Sequence, residues 1–200
     1  MKIWTQRPHT DGPLMKRLFA ACLAGSLMVA PDIGAAQEQS QSEEPADDGS
    51  ITLVPAIQGE SNGFRALAVI TADEKWLEKF ENPGENGPEF ELRPILDIGK
   101  PARLLIFFAG AFPDNGQVNV LCKLRLSHDD EVVHEVDPVT CSEADDPGDV
   151  ERLLLADTTL VITPTAEDAG KILKVEVGVT DGLRSEYVPL ELSVAYGNAE

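Results

Sequence analysis

The chain has 200 residues, with 35 Asp and Glu against 16 Lys and Arg, a formal net charge of −19. Such an acidic balance excludes non-specific attraction to nucleic acid or to an anionic membrane, both of which need a basic surface. Hydrophobic residues make up 42%, just below the globular norm of about 45–50%, which is enough to fill one core.

The residues before Met15, among them Trp4, Arg7, Pro8, His9 and Asp11, fit neither a signal sequence nor a packed element. Met15 is therefore expected as the start of translation, with Met1–Leu14 an over-long gene reading. Lys16 and Arg17 then precede the apolar stretch Leu18–Ala30, and Gly34-Ala35-Ala36 follows Pro31. A positive end, a short apolar run and small residues at a cleavage point are the order of a secretory signal peptide, so 1–36 reads as removable with cleavage after Ala36. The run falls short of the ~18 residues needed to cross a bilayer, so no membrane span is expected in the mature chain. Phe19-Ala20-Ala21-Cys22 is similar to a lipoprotein cleavage box, but most of the apolar run follows Cys22, which reads as a small member of that run. Residues 37–49 carry Gln, Ser, Glu, Asp, Pro and Ala with no large apolar side chain. Such a stretch cannot offset its chain entropy and is expected as a disordered acidic spacer. Residues 50–196 then have the size of one domain.

Within that domain the apolar spacing is mostly that of strands. Phe64–Thr71 comes first, followed by the one helical signal, Asp73–Glu81. Asp73 is placed to cap this helix, Trp76, Leu77 and Phe80 share a face, and Asn82-Pro83-Gly84 ends it. Phe90, Leu92 and Pro94 alternate with Glu91 and Arg93. Arg103–Phe108 is apolar without alternation after its first residue, as a strand at the centre of a core would be. Pro113-Asp114-Asn115-Gly116 predicts a tight turn, since Asn-Gly accepts the positive φ angles it needs. Gln117–Leu126 alternates, and Asp129, Asp130 and Glu131 read as a hairpin tip flanked by His128 and His134. Thr159–Ile162, Ile172–Thr180 and Tyr187–Val194 complete the set, the last two joined at Asp181-Gly182. One short helix among about seven strands predicts a mainly β protein, an antiparallel Ig-like β-sandwich.

Pro164-Thr165-Ala166-Glu167-Asp168-Ala169-Gly170 and the strand after it resemble the E–F corner of immunoglobulin-like sandwiches. Ile172 or Leu173 stands where that corner usually has a Tyr, so the resemblance implies the fold without the tyrosine-corner hydrogen bond. Trp76, Pro83-Gly84, Gly99, Ile106-Phe107-Phe108-Ala109-Gly110 and Gly116 are similar to a pattern in uncharacterised secreted bacterial proteins. Ala111 here replaces the cysteine those proteins often carry. Neither resemblance implies an activity.

Once a signal peptide is removed, Cys122 and Cys141 remain. An even pair in an exported chain predicts one disulfide, holding the loop 138–149 to the sheet. Asp145, Asp146, Asp149 and Glu151 cluster at a Pro147-Gly148 turn, where carboxylates could wrap a Ca²⁺. They lack the alternating Asp spacing of a dedicated calcium loop, and a solvated acidic turn is the plainer reading. No nucleophile elbow, zinc-protease helix or phosphate-binding glycine loop occurs, so no enzyme activity and no cofactor are expected. Trp76 and Phe80 are expected in the core or capping the sandwich. If their helix instead turns outward, they become the leading partner-docking residues. The sequence thus predicts a non-catalytic module, periplasmic or secreted from a bacterium, that meets a protein partner in the cell envelope. The alternative is a Ca²⁺-dependent or carbohydrate-binding sandwich using the 143–151 loop.

Overall fold

The computed structural model describes residues 1–6, 52–84, 87–142 and 152–197, and these belong to one compact unit. The signal-like segment beyond residue 6, the acidic spacer and the whole cluster Asp145, Asp146, Asp149 and Glu151 lie outside the described residues.

The elements in chain order are β1 (Lys2–Gln6), β2 (Ala56–Ser61), β3 (Phe64–Thr71), α1 (Trp76–Glu81), β4 (Ile95–Leu96), β5 (Ala102–Ala109), β6 (Val120–His128), β7 (Glu131–Ser142), β8 (Leu154–Leu155), β9 (Thr159–Thr163), a 3₁₀ turn at Ala166–Asp168, β10 (Ile172–Asp181) and β11 (Glu186–Tyr196). One sheet runs β1-β9-β5-β3-β2, with β8 also paired to β5, and the other runs β4-β11-β10-β6-β7. Every pairing is antiparallel except the short β4–β11 contact, which is parallel. The protein is mainly β, and its two sheets enclose a common core as in a sandwich.

Period-two alternation explains that core. Leu173, Val175, Val177 and Val179 of β10 and Val188, Leu190, Leu192 and Val194 of β11 point inward, against Phe64, Ala66, Ala68 and Ile70 of β3 and Leu104, Ile106 and Phe108 of β5. The unbroken apolar run of β5 has a second cause. Its other face, Leu105 and Phe107, packs with Val69 and Trp76, and against Phe107 the Phe80 ring lies tilted at a centroid distance of 5.2 Å while the Phe90 ring stacks at 5.6 Å. A strand covered on both faces has no reason to alternate.

Several expectations are corrected. The helix starts at Trp76, one turn later than read, and Asp73 sits ahead of it: its carboxylate accepts from the Lys75 amide at 2.9 Å and pairs with Lys79. Leu77 is exposed. The segment around Phe90 forms no strand; Leu92 alone bridges to Thr71. Asn115 and Gly116 take the positive φ angles expected of them, and Asp114 and Gln117 exchange both backbone hydrogen bonds. This turn nevertheless lies on a crossover between sheets, because β5 and β6 do not pair. At the β10–β11 turn the positive φ falls on Ser185 rather than Gly182.

The disulfide forms as predicted, Cys122 to Cys141 with Cα atoms 5.6 Å apart, yet Cys141 is not in a loop. It is a fully buried residue of β7. The nine residues of β6 face the twelve of β7, and three register shifts absorb the difference. At the first of them Val120 pairs with Ser142 and Leu121 with Thr140, leaving Cys141 as the extra residue of a bulge. Closing a loop of this length stabilises by about 3 kcal/mol in the chain-entropy model. The bulges also twist an edge strand that would otherwise template aggregation.

Met1–Gln6 differs most from expectation. The segment read as having no place in a packed element pairs along β9, from Lys2 opposite Thr163 to Gln6 opposite Thr159.

Candidate functional site

Asp181 ends β10, and its side chain is fully buried. A buried carboxylate must be compensated, and the compensation here comes from two loops at one end of the sandwich. One oxygen accepts from the amides of Leu183 and Arg184 at 3.0 and 3.4 Å. The other accepts from the Phe112 amide at 2.9 Å and from Arg184 Nε at 2.9 Å. Arg184 then donates to the Gly110 carbonyl at 2.6 Å, and its guanidinium stands 5.8 Å from the centre of the Phe112 ring. The backbone is thus fixed on both sides, yet the side chains it carries are open. Phe112 is 52% exposed and Leu183 42%. Held apolar groups on loops at the end of a sheet scaffold are suited to contact with another surface.

The opposite end of β10 holds a second polar centre. Ten strand residues at about 3.3 Å each place it roughly 30 Å from the first. Asp168 closes a capping box with Thr165, accepting from its amide and its hydroxyl, each at 2.7 Å. The amino group of Met1 lies 2.9 Å from the same carboxylate oxygen. Burial works to raise the Asp168 pKa, but the Thr165 bonds and the Met1 ammonium outweigh it and hold the carboxyl at about 2. Tyr196 donates its hydroxyl to the Met1 thioether at 3.0 Å, and His128 Nε2 lies 3.2 Å from that hydroxyl with the rings edge to face. Burial lowers the His128 pKa and keeps the ring neutral, while burial and the Asp168 charge keep the Tyr196 phenol protonated.

An acid-stability prediction follows from Asp168. Its folded pKa is below the usual 3.8, so its stabilisation is complete above about pH 4 and is lost as pH falls toward 2. The loss amounts to about 2 kcal/mol. Urea midpoints measured from pH 5 to pH 2 should show this component in the native protein and lack it in Asp168→Asn.

Of the residues the sequence singled out, Cys122 and Cys141 come together as the disulfide. Trp76 is buried, and Phe80 is partly buried and packs on Phe107. Asp129 and Asp130 form the tip of the β6–β7 hairpin, as read, with φ of 46° and 66°. Among the described residues no group of three or more His, Cys, Asp or Glu side chains is arranged to hold a metal, and no helix is long and apolar enough to cross a membrane. Phe112, Leu183 and Arg184 were missed. The available signal was Asp181-Gly182 itself, since Asp at such a turn commonly accepts from amides two and three residues on.

No protein-family model matches the chain, and no curated protein matches it. What the structure defines is therefore a class of architecture, a two-sheet β domain stapled by one disulfide and carrying a rigid, partly apolar tip.

Proposed function

We propose that this chain is a non-catalytic, exported Ig-like interaction module that meets a protein partner of the bacterial cell envelope through its Phe112–Leu183 tip. The observation that carries the reading is the pairing of exposure with rigidity. Two large apolar side chains stay in water while one buried carboxylate anchors both of their amides. Apolar contacts held in place before binding lose less entropy on association, which is where loop-borne sites gain affinity. The intramolecular disulfide and the signal-like order of residues 16–36 support an oxidising compartment outside the cytoplasm.

The test is site-specific photo-crosslinking in intact cells. A photoreactive residue at position 112 or 183 should give one discrete adduct, and the same residue at Glu191, exposed on the outer sheet face, should not. Absence of an adduct at both tip positions, or an identical adduct from position 191, would rule out the tip as the contact.

A further inference from the structure

We propose that the outer face of the β6–β10–β11 sheet carries a binding site for a neutral pyranose oligosaccharide, with Tyr187 as its stacking platform. Strand register builds the site. Gly178 of β10 lies between Lys123 of β6 and Pro189 of β11, and Glu176 lies between Arg125 and Glu191 in the neighbouring row. Val177 and Val179 point into the core, so Gly178 belongs to the outer face. The missing side chain there leaves a trough of about 250 Å³, walled by Lys123, Arg125, Glu176, Pro189 and Glu191. Tyr187 leans across it from the row beyond. A Cβ on Gly178 would stand 2.8 Å from Tyr187 Cε2 and 2.9 Å from its hydroxyl oxygen. Glycine inside a strand weakens it and marks a close approach. The φ of Gly178 is not left-handed, so no turn calls for glycine here; what it admits is the phenol ring. With one side against the strand, Tyr187 is still 53% exposed.

The polar groups around the ring select the ligand. The trough holds two cations, Lys123 and Arg125, and two carboxylates, Glu176 and Glu191. Their ion pairs are open ones: Lys123–Glu135 at 3.6 Å, Arg125–Glu176 at 3.7 Å and Lys174–Glu191 at 3.1 Å, every side chain more than 40% exposed. Such pairs contribute little stability, so hydroxyl groups can open them at small cost. An anionic ligand would meet the two carboxylates, and a cationic one the two cations. A neutral sugar accepts from Lys123 and Arg125 and donates to Glu176 and Glu191. The C–H face of its ring, weakly positive, suits the negative π face of Tyr187. This local balance of charge is set within a chain whose net charge is −19. The site shares no residue with the Phe112–Leu183 tip, so either can fail alone. A polysaccharide, mixed in length, would leave no discrete adduct at position 191.

The experiment titrates the full chain, labelled with ¹⁵N, with cellohexaose and with chitohexaose, following amide shifts by NMR. Hexagalacturonate and the chitosan hexamer serve as anionic and cationic counterparts. At least one neutral hexamer should give saturable shifts confined to residues 123–125, 176–178 and 187–191. Tyr187→Ala should weaken that binding at least tenfold, Tyr187→Trp should retain it, and Phe112→Ala should leave it unchanged. If Tyr187→Ala fails to fold, the charge-neutral double variant Arg125→Ala with Glu191→Ala takes its place and should weaken binding at least fivefold. The proposal is overturned if neither neutral hexamer binds, if the shifts lie elsewhere, if a charged hexamer binds more tightly, or if the folded variants retain full affinity.

Discussion

Replacing Gly110 by Ala should remove a large part of the protein's stability, while the same replacement at Gly170 should be mild. Both glycines have φ of +74°, so both substitutions incur the left-handed strain of about 1–2 kcal/mol. They differ in what surrounds them. A Cβ on Gly110 would stand 2.0 Å from the carbonyl oxygen of Gly63, whereas one on Gly170 meets nothing within 4 Å. The obstacle at Gly110 is backbone, and it belongs to the turn that leads into β3, where Phe64 is completely buried. No rotamer change relieves such a clash. We expect Gly110→Ala to cost more than about 4 kcal/mol, a large part of the 5–15 kcal/mol typical of a domain. Gly170→Ala should cost about 1–2 kcal/mol. Urea denaturation of the two variants decides it, and equal costs would show that the approach of Gly110 to Gly63 is not close.

Asp181→Ala should be the most damaging change of a charged side chain among those described, at about 3–5 kcal/mol, because it leaves Arg184 facing a buried gap and strips the Phe112 and Leu183 amides of their acceptor. Asp181→Asn keeps one acceptor oxygen and should cost less. Hydrogen exchange locates the effect: the amides of residues 112 and 183 should lose protection first, ahead of β10 and β11 themselves. Uniform loss across both sheets would mean that Asp181 stabilises the whole sandwich rather than the tip. If the tip is the contact surface, Asp181→Asn should also weaken crosslinking from position 112, though Asp181 itself is buried.

The strands that were plain in the sequence are those with one face in the core and one in water. Leu173–Val179 and Val188–Val194 alternate because one face lies in the core and the other carries more exposed residues such as Lys174, Glu176 and Glu191, and Arg103–Phe108 does not alternate because α1 covers its second face. β7 hid for the opposite reason. Most of it is exposed on both faces, it contains Pro138, and its three bulges break any fixed period. β2 hid behind Gly59-Glu60-Ser61, a composition suited to turns. Gly59 is required there because a Cβ would come within 2.8 Å of Val188 on the facing sheet. The helix was legible as an amphipathic unit, but its start was displaced by Asp73, which resembles a cap and serves instead to bind Lys79. The tip was not legible, since it depends on a hydrogen bond between residues 69 apart in the chain. β1 is five residues long, too short for periodicity to register, and its end is held by an amino group that no side-chain pattern reports.

The path of the chain between the two sheets governs how the molecule must assemble. β3 and β5 lie in one sheet with β4 between them in the other, and β9 returns to the first sheet after β6 and β7 have been laid in the second. Among the described strands, only the β2–β3, β6–β7 and β10–β11 hairpins can form from neighbouring residues. All other pairings wait on the closure of long loops, and chains of such high contact order fold in milliseconds to seconds rather than microseconds. Because Cys122 and Cys141 lie within a single hairpin, their bond can form while the rest of the chain is still open. It then enters the sandwich as a preassembled edge, one loop closure fewer for the final collapse to make.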